Sequence, residues 1–306
     1  MASSTDYLKL HFVVFLWGFS AILGKLVSIP AVEMVWYRSV FAAVGMGAVI
    51  YFTRGTFTVS RADLVKLFCI GAIVSIHWIA FFGSARVSNV SVSLVGFATN
   101  SLWAALLEPW LNKTKVKKYE LLLGLVVIAG LYIIFSFDFQ YKLGLLIGIF
   151  AGFTSALFSV FNSKMVKRVS ARTITFYEMT GAFVVTGLFL PFFQFSGENL
   201  RLPLLPPAMD FVYIIILAGV CSVYAYTVAV ELMKRVSVFM IQLTLNLEPV
   251  YGIIMAVIIF GQQEKMNLNF YAGTLVILGA VVTYPMVKKR FDRGFSSINP
   301  GNPTSK

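Results

Sequence analysis

Four Arg, His and Glu side chains lie well inside long apolar stretches of this sequence, away from their ends, where an ionised group is costly. They are Arg38, His77, Glu178 and Glu248. Inside a membrane such a side chain costs at least a few kcal/mol, so it usually contacts a partner or faces a water-filled cavity. These side chains are therefore candidates for binding a charged solute or for opening and closing a gate.

Glu248 stands directly before Pro249 in one of these stretches. The proline removes the hydrogen bond that would go to the Leu245 carbonyl, which predicts a kinked helix. A freed carbonyl beside a carboxylate suits an ammonium group or a proton. The alternative is a structural carboxylate bonded to a nearby hydroxyl or backbone group. Gln242 and Asn246 form a second polar pair at one-turn spacing in the same stretch.

Two further polar groups accompany aromatic rings. An imidazole at His77 beside Trp78 suits an aromatic or amide substrate, or a proton relay near neutral pH; a structural histidine is the alternative. Asn100 and Trp103 share a helical face with Ser93 and Gly96, which fits a cavity wall and a helix–helix contact equally well. The candidate substrate-binding residues are His77, Trp78, Asn100, Trp103, Gln242, Asn246 and Glu248.

The composition identifies the elements that must hold these side chains. The chain has 306 residues, of which 58% are hydrophobic and 12% charged, with a mean hydropathy of +0.84. A soluble domain of this size could not hide so much apolar surface, and roughly twenty mostly apolar residues cross a bilayer. Ten stretches have this length, at residues 8–28, 33–52, 64–84, 88–109, 119–137, 143–163, 173–194, 211–232, 238–260 and 270–287.

The positive charges alternate along these stretches. With a cytoplasmic N-terminus, 19 of the 25 Lys and Arg residues fall on the cytoplasmic side, five fall on the other side, and Arg38 lies within a stretch. This is the positive-inside pattern of a membrane protein. It predicts an integral protein of the cytoplasmic (inner) membrane with both termini in the cytoplasm, and it explains the net charge of +12 without a nucleic-acid partner.

The second half of the sequence resembles the first. Gly124 and Gly130 in the fifth stretch match Gly273 and Gly279 in the tenth. Each half has five spans, and an odd number inverts the second half in the membrane. Inverted repeats of this kind place substrate near the midplane between the halves and alternate access by rocking. The predicted units are 1–137 and 138–288, followed by a disordered cytoplasmic tail at 289–306.

Arg38 and Glu178 occupy equivalent positions in these two halves. Arg38 would bind a substrate carboxylate or pair with an acid in a gate, or else snorkel outward or tie two helices together. The opposite sign at Glu178 favours pairing near each end of the path. We therefore interpret Arg38 and Glu178 as gating residues.

Several kinds of site are absent from the sequence. It has no P-loop, no HExxH motif, no paired Cys/His ligand spacing and no serine nucleophile elbow. The two cysteines, Cys69 and Cys221, both lie inside apolar stretches. The sequence therefore predicts a protein that is not an enzyme and that requires no metal or other cofactor.

A set of motifs in a fixed order resembles a known family over residues 8–288. They are Trp17-Gly18, Lys25, Pro30, Arg38, Leu247-Glu248-Pro249, Gly261, Glu264, Gly273 and Gly279. In this order the chain resembles the EamA-type transporters of the drug/metabolite transporter superfamily. The resemblance implies an all-α membrane protein, with ten transmembrane helices in two inverted five-helix repeats, that exports small metabolites such as amino acids.

The leading hypothesis is a secondary transporter that exports an amino acid by alternating access, with aromatic residues near the midplane favouring an aromatic side chain on that substrate. One alternative is a non-transporting membrane scaffold or lipid-binding protein, which predicts no central cavity. Another is a carrier of nucleotide sugars or lipid-linked sugars, which predicts a strongly basic cavity. The expected partners are a small-molecule substrate and membrane lipids, and a path inside one chain needs no second subunit.

Overall fold

The structure is a computed structural model that describes residues 2–135, 141–195, 206–264 and 267–298. In these residues the chain is helical and contains no strand. The helices of the first half are α1 (Ser4–Leu26), α2 (Ala31–Phe52), α3 (Arg61–Val87), α4 (Val90–Phe97), α5 (Asn100–Asn112) and α6 (Lys118–Phe135). Those of the second half are α7 (Lys142–Met165), α8 (Ala171–Phe195), α9 (Ala208–Ile216), a π-helix (Leu217–Tyr226), α10 (Thr227–Leu232), α11 (Val238–Leu245), α12 (Glu248–Phe260), a 3₁₀-helix (Gly261–Glu264) and α13 (Leu268–Ile298).

Eight helical segments of the described chain are long and apolar enough to cross a membrane. They are Ser4–Leu26, Ala31–Phe52, Arg61–Val87, Val90–Asn112, Lys142–Met165, Ala171–Pro191, Ala208–Leu232 and Val238–Phe260. The other two predicted spans, 119–137 and 270–287, fall on α6 and α13, which pack extensively against each other. The described part of α13 gives a shorter apolar segment, Leu268–Ala280. Length and composition thus support eight of the ten predicted spans.

The chain beyond the last predicted span is helical where the structure describes it. Helix α13 continues past residue 288 to Ile298. Of the segment predicted to be a disordered tail, residues 299–306 lie outside the described residues, as do residues 196–205 between α8 and α9.

Two spans are interrupted near their middle. In the span Val238–Phe260, α11 ends at Leu245, and α12 begins with Glu248 and has Pro249 in its first turn. This confirms the interruption that the proline predicts. The span Val90–Asn112 is also broken, between α4 and α5, where no proline marks it in the sequence. There the Thr99 hydroxyl donates to the Gly96 carbonyl at 2.9 Å and replaces part of the helical bonding.

The break between α4 and α5 corrects one prediction. Ser93 and Gly96 precede it, while Asn100 and Trp103 follow it, so these four side chains do not share the face of one continuous helix. Ser93 instead donates to the Phe81 carbonyl at 2.8 Å. This hydrogen bond joins α4 to α3, so Ser93 contributes to helix packing.

The two halves of the chain interlock. Among the most extensive contacts, α3 packs on α7 and α8, α2 packs on α8, and α4 packs on α7. The backbone at Gly96 lies so close to Gly148 that an added Cβ atom would meet its Cα and carbonyl carbon at 3.0 Å. Small residues allow such close approach of helices. The halves therefore enclose a common centre.

The two ends of the bundle close differently. We call the end where α1, α3, α8 and α11 begin the basic end, because most Lys and Arg residues lie there. Two of its ion pairs join the halves: Asp6 with Arg235 at 3.0 Å and Asp63 with Arg168 at 2.6 Å. At the opposite end one carboxylate, Asp210, holds the loop between α1 and α2.

Candidate functional site

A small cavity lies at the centre of the bundle, between the two halves. Its volume is about 50 Å³, which is room for about three or four water molecules. It is lined by Trp17, Ser20, Arg38, His77, Trp78, Phe81, Phe82, Phe97, Ser155, Phe158, Ser159, Tyr226, Ala229, Val230, Met233, Ile241, Leu245 and Glu248. The lining is mostly apolar and aromatic, with one positive and one negative side chain of opposite halves.

Arg38 comes to this cavity from α2 and is only 2% exposed. Its Nε donates to the Ser222 hydroxyl at 2.8 Å. The guanidinium carbon lies 3.9 Å from the centre of the Trp78 ring, in a cation–π contact, and 5.6 Å from that of Phe82. Within the described residues its two terminal nitrogens form no hydrogen bond to protein and no ion pair. They match a carboxylate, which a guanidinium binds in a bidentate manner.

Glu248 reaches the same cavity from the first turn of α12. It is buried, and it forms no hydrogen bond or salt bridge with another residue in the described part of the chain. Its position at the start of α12 follows from the break at Asn246 and Leu247. A positive ligand group is the natural partner of such a carboxylate.

His77 also lines this cavity, and it lies among aromatic rings. Its Nδ1 donates to the Ala151 carbonyl at 2.8 Å, which leaves Nε2 as an acceptor when the ring is neutral. The ring centres of Phe97 and Phe158 lie 5.7 and 5.4 Å from that of the imidazole. This wall is suited to a flat or bulky apolar group.

The π-helix connects several of these groups. Its Cys221 carbonyl accepts a hydrogen bond of 3.0 Å from the Trp17 indole, and its Ser222 hydroxyl accepts the bond from Arg38. π-Helical segments are uncommon and occur frequently at functional sites. The sequence shows no motif for the π-helix, and sequence reasoning missed Ser222, which positions Arg38 through this bond. Tyr226, the last residue of the π-helix, also lines the cavity.

Four of the predicted substrate-binding residues lie outside the cavity lining. Gln242 donates to the Ser159 hydroxyl at 2.7 Å, and Asn246 donates to the Ser101 hydroxyl at 2.8 Å, so both connect helices. Asn100 is fully buried, and no bond to its side-chain amide is formed in the described chain. The Trp103 ring packs on that of Phe153, with ring centres 5.3 Å apart. Three predicted residues, His77, Trp78 and Glu248, do line the cavity.

Glu178 also lies beside the cavity, behind Tyr226. It is fully buried, and its Oε2 accepts hydrogen bonds from the Tyr226 hydroxyl at 2.7 Å and from Asn162 Nδ2 at 3.2 Å. It does not pair with Arg38 or with any other cation among the described residues. The two side chains predicted to form gates therefore do not form an ion pair here.

The contacts at the opposite end form a clamp between the halves. Asp210 at the start of α9 accepts hydrogen bonds from the Ser28 amide at 3.0 Å, the Ser28 hydroxyl at 2.7 Å and the Ile29 amide at 3.1 Å. Next to it, Arg86 donates to the Val27 carbonyl at 3.2 Å. Asp210 was not identified from the sequence. A signal was present, because an acidic residue in the first turn after Pro206-Pro207 is typical of the start of a helix.

The cavity brings together groups that can bind a solute. No group of three or more His, Cys, Asp or Glu side chains that could hold a metal ion occurs in the described residues. What the cavity offers is a cation and a carboxylate from opposite halves in a lining rich in aromatic rings. Such a site can bind a solute that carries both charges.

Comparisons with known proteins agree with this architecture. A family model described as the EamA-like transporter family matches residues 7–136 and again residues 142–284. A crystal structure of another protein matches with a TM-score of 0.67 at 14% sequence identity. The match covers 95% of this chain and 99% of the other chain, and it shows that the two share a fold. No curated protein matches the chain in sequence. The double match covers both halves and shows that the chain belongs to the EamA-like transporter family.

Proposed function

We propose that this protein is a secondary transporter of amino acids, and that the central cavity is its substrate site. The observation that carries the proposal is that Arg38 and Glu248 line one cavity without pairing with each other. A zwitterionic amino acid supplies the partner that each lacks: its carboxylate for Arg38 and its ammonium group for Glu248. The aromatic wall around His77 favours an aromatic or bulky apolar side chain.

The arrangement of the halves supports alternating access as the transport mechanism. A cavity of about 50 Å³ is smaller than the roughly 300 Å³ at which small-molecule pockets begin. The halves must therefore separate at one end to admit a substrate. The ion pair between Asp6 and Arg235 would break to open the basic end, and the Asp210 clamp would break to open the other.

The remaining features of the function are part of the same proposal. The charge pattern supports a cytoplasmic basic end in the inner membrane, and the family resemblance supports export. A scaffold without a substrate needs no cavity with two unpaired charges. A carrier of sugar phosphates needs several cations, whereas Arg38 is the one arginine or lysine of the described lining.

The test is transport by purified protein in sealed liposomes, using labelled phenylalanine together with two of its analogues, 3-phenylpropionate (no amine) and phenethylamine (no carboxylate). We expect saturable uptake of the amino acid. Glu248→Gln should weaken binding of phenylalanine by on the order of 30-fold, because it removes one close charge contact, and should leave binding of 3-phenylpropionate unchanged.

Two results would contradict the proposal. One is equal phenylalanine affinity in the wild type and the folded Glu248→Gln variant. The other is saturable uptake of sugar phosphates with no uptake of any amino acid from a full panel. Correct folding of the variant is checked by its melting temperature and by its elution volume on size exclusion.

A further inference from the structure

Three polar side chains form a closed triangle beside the central cavity: Glu178 from α8, Asn162 from α7 and Tyr226 from the π-helix. The Tyr226 hydroxyl lies 2.7 Å from Glu178 Oε2, Asn162 Nδ2 lies 2.9 Å from that hydroxyl, and the same Nδ2 lies 3.2 Å from Oε2. All three residues belong to segments that cross the membrane, and all are buried. The triangle is therefore a buried polar site.

This site holds a carboxyl group without a cation. No ion pair of Glu178 occurs in the described chain, and the other carboxyl oxygen, Oε1, has no hydrogen-bond partner there. Asn162 Oδ1 is likewise buried without one. An ionised carboxylate in such a place is costly, and a bound proton removes that cost. The ligand that the site lacks is thus a single positive charge small enough to fit inside the triangle.

The triangle can accommodate the carboxyl group with and without its proton. When Glu178 is ionised, Oε2 accepts from the tyrosine hydroxyl and the asparagine amide, as in the present arrangement. When Glu178 carries a proton, a half-turn of the Asn162 amide would place its carbonyl oxygen where it can accept from the acid. Amide groups offer both a donor and an acceptor in this way. In each protonation state Glu178 Oε2 then has a hydrogen-bond partner within the triangle.

Two spaces adjoin the residues of the triangle. Tyr226 lines the central cavity. The next residue, Thr227, lines a separate crevice of about 750 Å³ at the basic end, between α2, α8 and α10. The hydroxyl of Thr227 donates to that of Thr175 at 2.9 Å, one turn before Glu178 on α8. Glu178 therefore stands between the crevice and the cavity.

The other described titratable groups on the surrounding helices have contacts elsewhere and not with Glu178. Arg38 on α2 and His77 on α3 face the central cavity, Cys221 of the π-helix contacts the Leu16 carbonyl, and Glu231 on α10 lines the crevice. Lys164 on α7 donates to the Leu111 carbonyl at the basic end. Of the described titratable groups, Tyr226 is the one in contact with the Glu178 carboxyl.

We propose that Glu178 is the proton-binding site of this carrier, and that Tyr226 links its proton to the occupancy of the central cavity. A proton moves from cavity water to the Tyr226 oxygen as the Tyr226 hydrogen passes to Glu178 Oε2, so that the tyrosine is neutral before and after. The proton leaves to the crevice past Thr175 and Thr227. The inference rests on the proposed transport function and names the ion that is coupled to it.

The test compares wild type, Glu178→Gln and Glu120→Gln in liposomes. Glu120 is the matched control: its side chain is also buried, at 3% exposure, but it pairs with Lys117 at 3.1 Å. Two rates of labelled phenylalanine uptake are measured, counterflow at equal pH and accumulation driven by a pH gradient. We expect Glu178→Gln to retain counterflow within about threefold and to lose gradient-driven accumulation. The control should retain both.

A second measurement reads the proton itself. Infrared difference spectra of the purified protein between pH 5 and pH 9 should contain, beside the bands of the other carboxylic acids, one C=O band of a protonated acid that is absent in Glu178→Gln and present in Glu120→Gln. The same band in all three proteins would overturn the assignment. So would gradient-driven accumulation by Glu178→Gln, or accumulation by the wild type that does not depend on the pH gradient. Absence of all transport by the wild type would instead refute the proposed function, while the spectra still decide whether Glu178 binds the proton.

Discussion

Arg38 in α2 and Glu178 in α8 occupy equivalent positions in the two repeats, yet they carry opposite charges and meet the centre of the protein differently. Both are buried, at 2% and 0% exposure. Both are also bonded to the same π-helix: Arg38 through Ser222 at 2.8 Å, and Glu178 through Tyr226 at 2.7 Å. One irregular segment therefore connects the two ionisable groups.

The difference between them lies in length and neighbours. The arginine side chain is long enough to reach the cavity, where the Trp78 ring covers its charge. The glutamate is shorter and remains behind Tyr226, so that it contacts the cavity through that hydroxyl alone. The repeat places the two residues at equivalent backbone positions, and the difference in side-chain length and charge gives them different contacts. We therefore assign substrate binding to Arg38 and proton binding to Glu178.

Removing the arginine should have the largest effect. Arg38→Ala deletes the partner of the substrate carboxylate and leaves Glu248 without an opposite charge near the cavity. We expect binding of phenylalanine to weaken by on the order of 100-fold, since losing one partner of a buried charge pair costs about 2–5 kcal/mol. Scintillation proximity binding with labelled phenylalanine measures this loss.

Arg38→Lys provides the control for this prediction. It keeps the charge but loses the planar, bidentate fork, so its affinity should fall between those of the wild type and Arg38→Ala. Glu178→Gln should bind phenylalanine nearly as the wild type does. If Arg38→Ala and Glu178→Gln weakened binding equally, the division of roles between the two repeats would be wrong.

Helix packing around the two residues differs as well, which gives a second prediction. A Cβ atom added at Gly71 of α3 would meet the backbone carbonyl oxygen of Glu178 itself, whereas one at Gly45 of α2 would meet only a methyl group of Val223, at 3.3 Å. Gly71→Ala should destabilise the fold by about 1–3 kcal/mol, as overpacking does. Gly45→Ala should be neutral or slightly stabilising, because alanine favours the helix over glycine.

Thermal unfolding of both variants in detergent measures this contrast. The melting temperature of Gly71→Ala should fall, and that of Gly45→Ala should stay near the wild-type value or rise. A matching fall in both would show that α2 and α8 are equally tightly packed near their ionisable residues. The close approach of α3 to α8 would then not distinguish the two repeats.

How much of this site the sequence could predict depends on how each feature arises. Ionisable residues within apolar stretches are rare, so Arg38, Glu178 and Glu248 could be found directly. The interruption at Glu248 followed from Pro249. The break between α4 and α5 could not be predicted, because no proline or glycine stands at Ala98 and Thr99, and tertiary packing against α7 sets it.

Side chains of ordinary type were harder to place. Ser222 and Asn162 resemble many other small polar residues in the spans, and their role depends on the π-helix and on α7 bringing them to Arg38 and Glu178. Asn100 and Gln242 show the reverse. Their polarity within apolar stretches predicted a cavity wall, but polar side chains also join helices in membranes, and the structure places both outside the cavity lining.

The smallest predicted effect concerns substrate binding after removal of either of two hydroxyl groups of the π-helix, that of Ser222 or that of Tyr226. Ser222→Ala removes the acceptor from Arg38 Nε, a hydrogen bond to a charged group worth about 1.5–3 kcal/mol. Because the Trp78 ring still holds the guanidinium, we expect the lower end of this range, a roughly 10-fold weaker binding of phenylalanine. Tyr226→Phe leaves every contact of Arg38 in place and should change binding by less than about threefold.

The same two variants should rank in the opposite order when the measured quantity is accumulation driven by a pH gradient. Tyr226→Phe breaks the link between Glu178 and the cavity, so accumulation driven by the gradient should fall more than counterflow does. Ser222→Ala should lower both rates by the same factor, because it weakens binding and leaves Glu178 in contact with Tyr226. If Ser222→Ala selectively impaired coupling instead, the π-helix would transmit the proton through Arg38, and the two repeats would share one role.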